Sequence, residues 1–140
     1  MDYRSSARVG PTRDLAAALR EHAVGVYADC AAVELLVEHG VFLGRSEFRE
    51  EFIGGIGRRS VGAYVRWAAA VTALNQHRLP CSSSEAAVLR IAASLGGGVP
   101  VRLRRVLGGL DAVNIVRVSD AIHRGNGGRP HRCAASSGSG

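Results

Sequence analysis

Residues 12–40 read TRDLAAALREHAVGVYADCAAVELLVEHG, and within them Leu15, Leu19, His22, Val26, Cys30, Val33 and Val37 recur at steps of 4, 3, 4, 4, 3 and 4. That spacing predicts one long amphipathic helix, because residues three and four apart share a helical face. Asp14 and Glu21 lie in its first turns, where the helix dipole favours acids, and Gly40 supplies a left-handed C-cap. The same spacing suits two helices packing side by side, within the chain or between two copies. Leu15, Leu19, Val26, Val33 and Val37 are therefore the first candidate interaction face.

Outward from this helix, glycines and capping residues punctuate the chain. Ser46 opens a short helix with Phe48, Phe52 and Ile53 on one face, broken by Gly54-Gly55. Ser60 starts a third helix to about Asn75, apolar on most of its circumference and so expected to be central. Ser82-Ser83-Ser84-Glu85 is a capping box that opens a fourth helix running to Leu95, where Gly96-Gly97-Gly98 stops it. After Pro100 a fifth helix turns Leu103, Val106, Leu107 and Leu110 inward. Asp111 then caps a sixth helix with Ile115, Val118 and Ile122 inward, ended by Gly125-Asn126-Gly127-Gly128. No segment alternates as a half-buried strand does. The fold class expected is all-α, a compact bundle of about five to six helices built from one long N-terminal amphipathic helix and a C-terminal trihelical unit.

The chain organises as a flexible arm at 1–11, a single helical domain at 12–125 with sub-halves 12–53 and 60–125, and a disordered Ser- and Gly-rich tail at 126–140. A length of 140 residues excludes a multidomain machine. Small apolar residues dominate, with 21 Ala and 16 Val against 12 Leu and 5 Ile, so the core has to come from close helix approach. No apolar run reaches the roughly 18 residues of a membrane helix, and the polar start lacks a secretory apolar region, so the expected setting is cytoplasmic, without membrane partners. Three widely spaced cysteines, Cys30, Cys81 and Cys133, fit neither a disulfide framework nor a zinc ribbon.

Charge is divided unevenly: residues 1–59 hold 8 Arg and 9 acids, net −1, whereas residues 60–140 hold 10 Arg and 3 acids, net +7. An arginine excess of that size attracts phosphate, although every basic residue being Arg also fits GC-rich coding. The basic half contains a helix-turn-helix-like pair at 101–124, in which Asn114, Arg117 and Arg124 would read base edges and Arg102, Arg104 and Arg105 would hold phosphates. Against it, Arg105 stands where that motif usually packs a small residue, and Asp111 and Asp120 bring negative charge to the reading helix.

Other candidates carry less. Gly54-Gly55-Ile56-Gly57-Arg58-Arg59-Ser60 could cradle an anion at a helix start, but it has neither the lysine nor the preceding strand of a P-loop. Cys81, beside a helix start, could have a lowered thiol pKa; a small packing residue is the plainer reading. His22 with Cys30 reads as core packing, His131 and Cys133 fall in the tail, and no helix holds a His-x-x-x-His or Glu-x-x-His pair, so no metal or cofactor is expected. Glu34, Glu38, Glu47, Glu50 and Glu51 form an acidic surface able to meet the basic half in the same chain or in a partner.

The stretch from Leu79-Pro80-Cys81-Ser82-Ser83-Ser84-Glu85 to Leu89-Arg90-Ile91-Ala92-Ala93-Ser94-Leu95, followed by Gly109-Leu110-Asp111 and Asn114-Ile115, resembles small uncharacterised helical proteins of high-GC Gram-positive bacteria over about residues 60–125. The resemblance implies a helical domain in a bacterial cytosol, with no assigned activity and no catalytic residue to carry across. The residues themselves favour a non-enzymatic protein-interaction module, binding a protein partner or a second copy. A DNA-binding regulator is the alternative, and an enzyme ranks last because spacing brings no two catalytic groups together.

Overall fold

The protein is an all-α bundle, and a break in its first apolar stripe sets the arrangement. The computed structural model describes residues 14–55 and 62–128; the arm at 1–11, Ile56–Ser60 of the glycine loop and the tail from Arg129, with His131 and Cys133, lie outside the described residues. Residues 12–40 do not form one helix. Helix α1 occupies residues 14–23 and α2 occupies Tyr27–His39, with Val24, Gly25 and Val26 between them. Gly25 has φ +100°, outside the reach of a helix, and the valines on either side are stiff β-branched residues.

The break doubles the chain back on itself. In a continuous helix Arg20 and Glu34 would stand about 21 Å apart, yet Arg20 Nε and Nη2 donate to Glu34 Oε2 and Oε1 at 2.7 and 3.1 Å. The Cys30 thiol donates to the Ala23 carbonyl at 3.2 Å, the same oxygen that accepts from the Val26 amide at 3.3 Å, so the end of α1 is tied to both the corner and α2.

Helix α3 (Ser46–Phe52) runs directly into a two-residue strand, β1 (Ile53–Gly54), which pairs antiparallel with β2 (Tyr64–Val65), Ile53 opposite Val65. This ribbon is absent from the sequence reading, which placed Tyr64 and Val65 in a helix from Ser60. Instead α4 covers Trp67–Asn75 only. Burial of Ile53 and Val65 as a cross-strand pair outweighs the helical spacing of that segment.

Helix α5 (Ser83–Gly97) begins as its sequence dictates: Ser82 Oγ accepts from the Glu85 amide at 3.1 Å, and Glu85 Oε1 accepts from the Ser82 amide at 2.8 Å. It outlasts Leu95, taking Gly96 and Gly97 into its last turn and ending at Gly98 with φ +65°. Gly96 serves the packing there: a Cβ would stand 2.5 Å from Trp67 Nε1 and 2.8 Å from Ala32 Cβ. Helices α6 (Leu103–Leu107) and α7 (Ala112–Gly125) complete the bundle, α7 capped by Asp111, whose carboxylate accepts from the Asn114 amide at 2.8 Å.

Two apolar clusters share α2 and α5. The first holds Leu19, Leu36, Leu74 and Leu89 around all three phenylalanines of the chain, Phe42, Phe48 and Phe52, with successive ring centroids 5.3 and 5.1 Å apart. The second has no ring among its buried members: Leu35, Val88, Ile91, Ala92 and Val106 meet Val118 and Ala121 of α7. Trp67 packs against both. No helix among the described residues is long and apolar enough to cross a membrane.

Candidate interaction face

Helix α7 can be laid on the bundle by either of two faces. Asn114, Val118, Ala121 and Gly125 follow steps of 4, 3 and 4, whereas Ala112, Ile115, Ser119 and Ile122 follow steps of 3, 4 and 3. Both series have helical periodicity, and the second carries the larger apolar groups. The structure buries the first. Helix α7 runs antiparallel to α2, its Gly125 beside Ala28 and Ala31. Small residues on both helices permit that close approach, which the isoleucines would prevent.

Asn114, turned inward by this choice, has partners on two sides. Asn114, only 5% exposed, donates through Nδ2 to Ser84 Oγ at 2.8 Å, and its Oδ1 accepts from Arg117 Nη1 at 2.8 Å. The same Ser84 hydroxyl accepts from the Asp111 amide at 3.2 Å, so one side chain on α5 holds the cap and the first turn of α7. Arg124 Nη1 lies 3.8 Å from Glu38 of α2, within ion-pair but not hydrogen-bond distance, and this buried nitrogen has no hydrogen-bond partner among the described residues. His39, at the end of α2, is buried against the Phe42 ring, and its Nδ1 has no hydrogen-bond partner among the described residues. Burial, reinforced by the Arg117 charge, lowers its pKa below the ordinary histidine value despite opposing contributions from Glu85 and Asp111.

The consequence lies on the opposite side. Ile115, Val116 and Ile122 are 41%, 48% and 53% exposed, and Val113 is more open still. Leu103 and Leu107 of α6 are also about half exposed, so the expected inward set of the fifth helix reduces to Val106, with Leu110 half-buried. Ile115 and Ile122, expected inside, are outside. Six large apolar side chains are thus exposed on two consecutive helices, and Ile115 and Ile122, seven residues apart, share one side of α7.

The first candidate face fares differently. Leu15, Leu19 and Val33 are buried in the core and Val37 is half-buried, leaving Val26 alone exposed at the α1–α2 corner. That stripe holds the monomer together. In the helix-turn-helix reading, Arg102, Arg104 and Arg105 are exposed as expected, but Asn114 is buried and Arg117 and Arg124 are half-buried toward α2 and α5. The three base readers therefore do not share an exposed face. The acidic surface is largely consumed within the chain: Glu34 pairs with Arg20, Glu38 with Arg124 and Glu51 with Arg78, while Glu47 and Glu50 stay exposed.

The remaining candidates are also placed. Cys81 packs half-buried on the first cluster, and burial, aided by Glu85, raises its thiol pKa, the reverse of an activated nucleophile. In the glycine loop, Gly54 lies under the Tyr64 ring. No group of three or more metal-ligating side chains occurs among the described residues.

Comparison with known proteins finds no matching family model, curated protein or solved structure. The outward face of α7 was nevertheless visible in the sequence as the 3-4-3 spacing of Ala112, Ile115, Ser119 and Ile122. What the spacing lacked was any indication of which side the bundle would cover.

Proposed function

We propose that this protein is an interaction module that associates with a second copy through the outward face of α7. The observation that carries the reading is the inversion of that helix, with Asn114 inside and Ile115, Val116 and Ile122 outside. An isologous contact requires a face that complements itself. Laid antiparallel about Ser119, two copies of α7 bring Ile115 of one against Ile122 of the other, because these residues, seven apart, share one side of the helix, and Ser119, having a small side chain, lets the axes approach. The same arrangement sets each Asp111-capped start beside the other copy's C-terminal turn with His123, where opposed helix dipoles attract. Arg102, Arg104 and Arg105 would fall at the solvated rim, where like charges cost little.

The test is sedimentation of the full chain from about 1 to 200 µM, a range that spans ordinary transient dimers. Wild type should approach twice its 14.7 kDa chain mass, and Ile115→Asp or Ile122→Asp should remain at chain mass with unchanged helical circular dichroism. A wild-type chain that stays monomeric throughout, or a dimer untouched by either substitution, overturns the proposal.

A further inference from the structure

A groove of about 720 Å³ opens between α5 and α6. One wall is a single face of α5, where Ser83, Ala86, Ala87 and Arg90 follow helical steps of 3, 1 and 3. The facing wall is Arg102, Arg105 and Val106 of α6 and its cap, again on helical spacing. Pro100 and Val101 line the groove where the chain passes between the helices, and Asn75 joins them from the end of α4. Among the described lining residues none is acidic, and Arg90, Arg102 and Arg105 are in none of the ion pairs among the described residues. Three arginines thus line one concavity without an acidic residue among its described lining. Arg104, on the same helix, does not line it.

We infer that this groove binds a multiply phosphorylated small molecule of nucleotide size. The volume falls in the roughly 300–1,000 Å³ range of small-ligand sites. Three guanidinium groups, each presenting planar paired donors, match the charge and oxygen geometry of a diphosphate. Ala86, Ala87, Val101 and Val106 form an apolar surface against which a ring or carbon skeleton can rest. A duplex backbone would be met by arginines spread over a convex surface, Arg104 among them; here the concave arrangement selects two of the three α6 arginines and recruits Arg90 from another helix.

The experiment is calorimetric titration of the full chain at low salt with ADP, with inorganic pyrophosphate and with a short DNA duplex. Arg102→Ala, Arg105→Ala and Arg104→Ala are each compared with wild type. ADP should bind, more tightly than pyrophosphate, and lose about tenfold or more in affinity on Arg102→Ala or Arg105→Ala, as loss of a charge-assisted contact requires. Arg104→Ala should leave ADP binding within about twofold. All three arginines are exposed, so the variants should keep the wild-type circular dichroism. Absence of ADP binding at millimolar concentration overturns the inference. So does an equal loss in Arg104→Ala, pyrophosphate binding as tight as ADP, or duplex binding that ADP does not displace.

Discussion

Helices α5 and α7 have nearly the same length, 15 and 14 residues, and each begins with a side-chain cap, yet they are built in opposite senses. In α5 the apolar residues Val88, Leu89, Ile91 and Ala92 are buried. In α7 the buried set is Asn114, Val118, Asp120 and Ala121, while Val113, Ile115, Val116 and Ile122 face outward. The contrast shows that hydrophobicity alone does not orient a helix. A buried polar group is tolerated where a partner already stands, as Ser84 does for Asn114. Helix α5 is therefore complete within one chain, whereas α7 has apolar surface left over.

The largest test of that difference is a pair of truncations. Leu89→Ala in α5 empties a fully buried site and should cost about 2–5 kcal/mol of unfolding free energy. Ile122→Ala in α7 should change the stability of dilute chain by no more than about 0.5 kcal/mol, because that side chain is half in water already. Chemical denaturation at micromolar concentration reads both. Similar losses at the two positions would mean that α7 packs on its isoleucine face.

A second, smaller effect is expected on the polar side of α7. Asn114→Ala removes the donor to Ser84 and deprives half-buried Arg117 of the Asn114 acceptor, which should cost about 1–3 kcal/mol. A change within error would show that Asn114 is incidental to how α7 is laid down. Asn114→Leu should not restore the loss, since the added apolar volume would confront the Ser84 hydroxyl.

How much of this was legible follows the same division. The capping box at Ser82 and Glu85 reads directly, because a cap depends on residues three apart and on nothing distant. The all-α class reads from the periodicity of the helices. The α1–α2 break was hidden because Gly25 lies within an apolar series whose spacing continues through it. The strand pair was hidden because Ile53 and Val65 acquire their partners only when distant segments meet. As for α7, its two faces have equivalent spacing, and the deciding facts lie on other helices: the small residues of α2 and the hydroxyl of Ser84. Of the groove, Arg102 and Arg105 were singled out in sequence as phosphate contacts, whereas Arg90 joins them only through the fold.

The smallest predicted effect concerns His39, which lies where the two constructions meet. Its imidazole is buried, its Nδ1 lacks a hydrogen-bond partner among the described residues, and the charges of Arg117 and Arg45 oppose protonation while Glu85 and Asp111 favour it. Because its pKa is lowered on folding, the unfolded chain takes up a proton first as pH falls through about 6.5, the ordinary histidine value. The stabilisation from keeping His39 neutral is therefore fully present above that pH and is lost progressively below it. Thermal unfolding at pH 7.5 and 5.5, above the range where unperturbed carboxylates titrate, should show wild type losing more stability on acidification than His39→Leu. Parallel losses in the two proteins would place the acid sensitivity elsewhere. A smaller loss in the leucine variant would mean that α7 meets the rest of the bundle across a contact that depends on a neutral imidazole, a dependence that the uncharged second cluster around Val88 does not share.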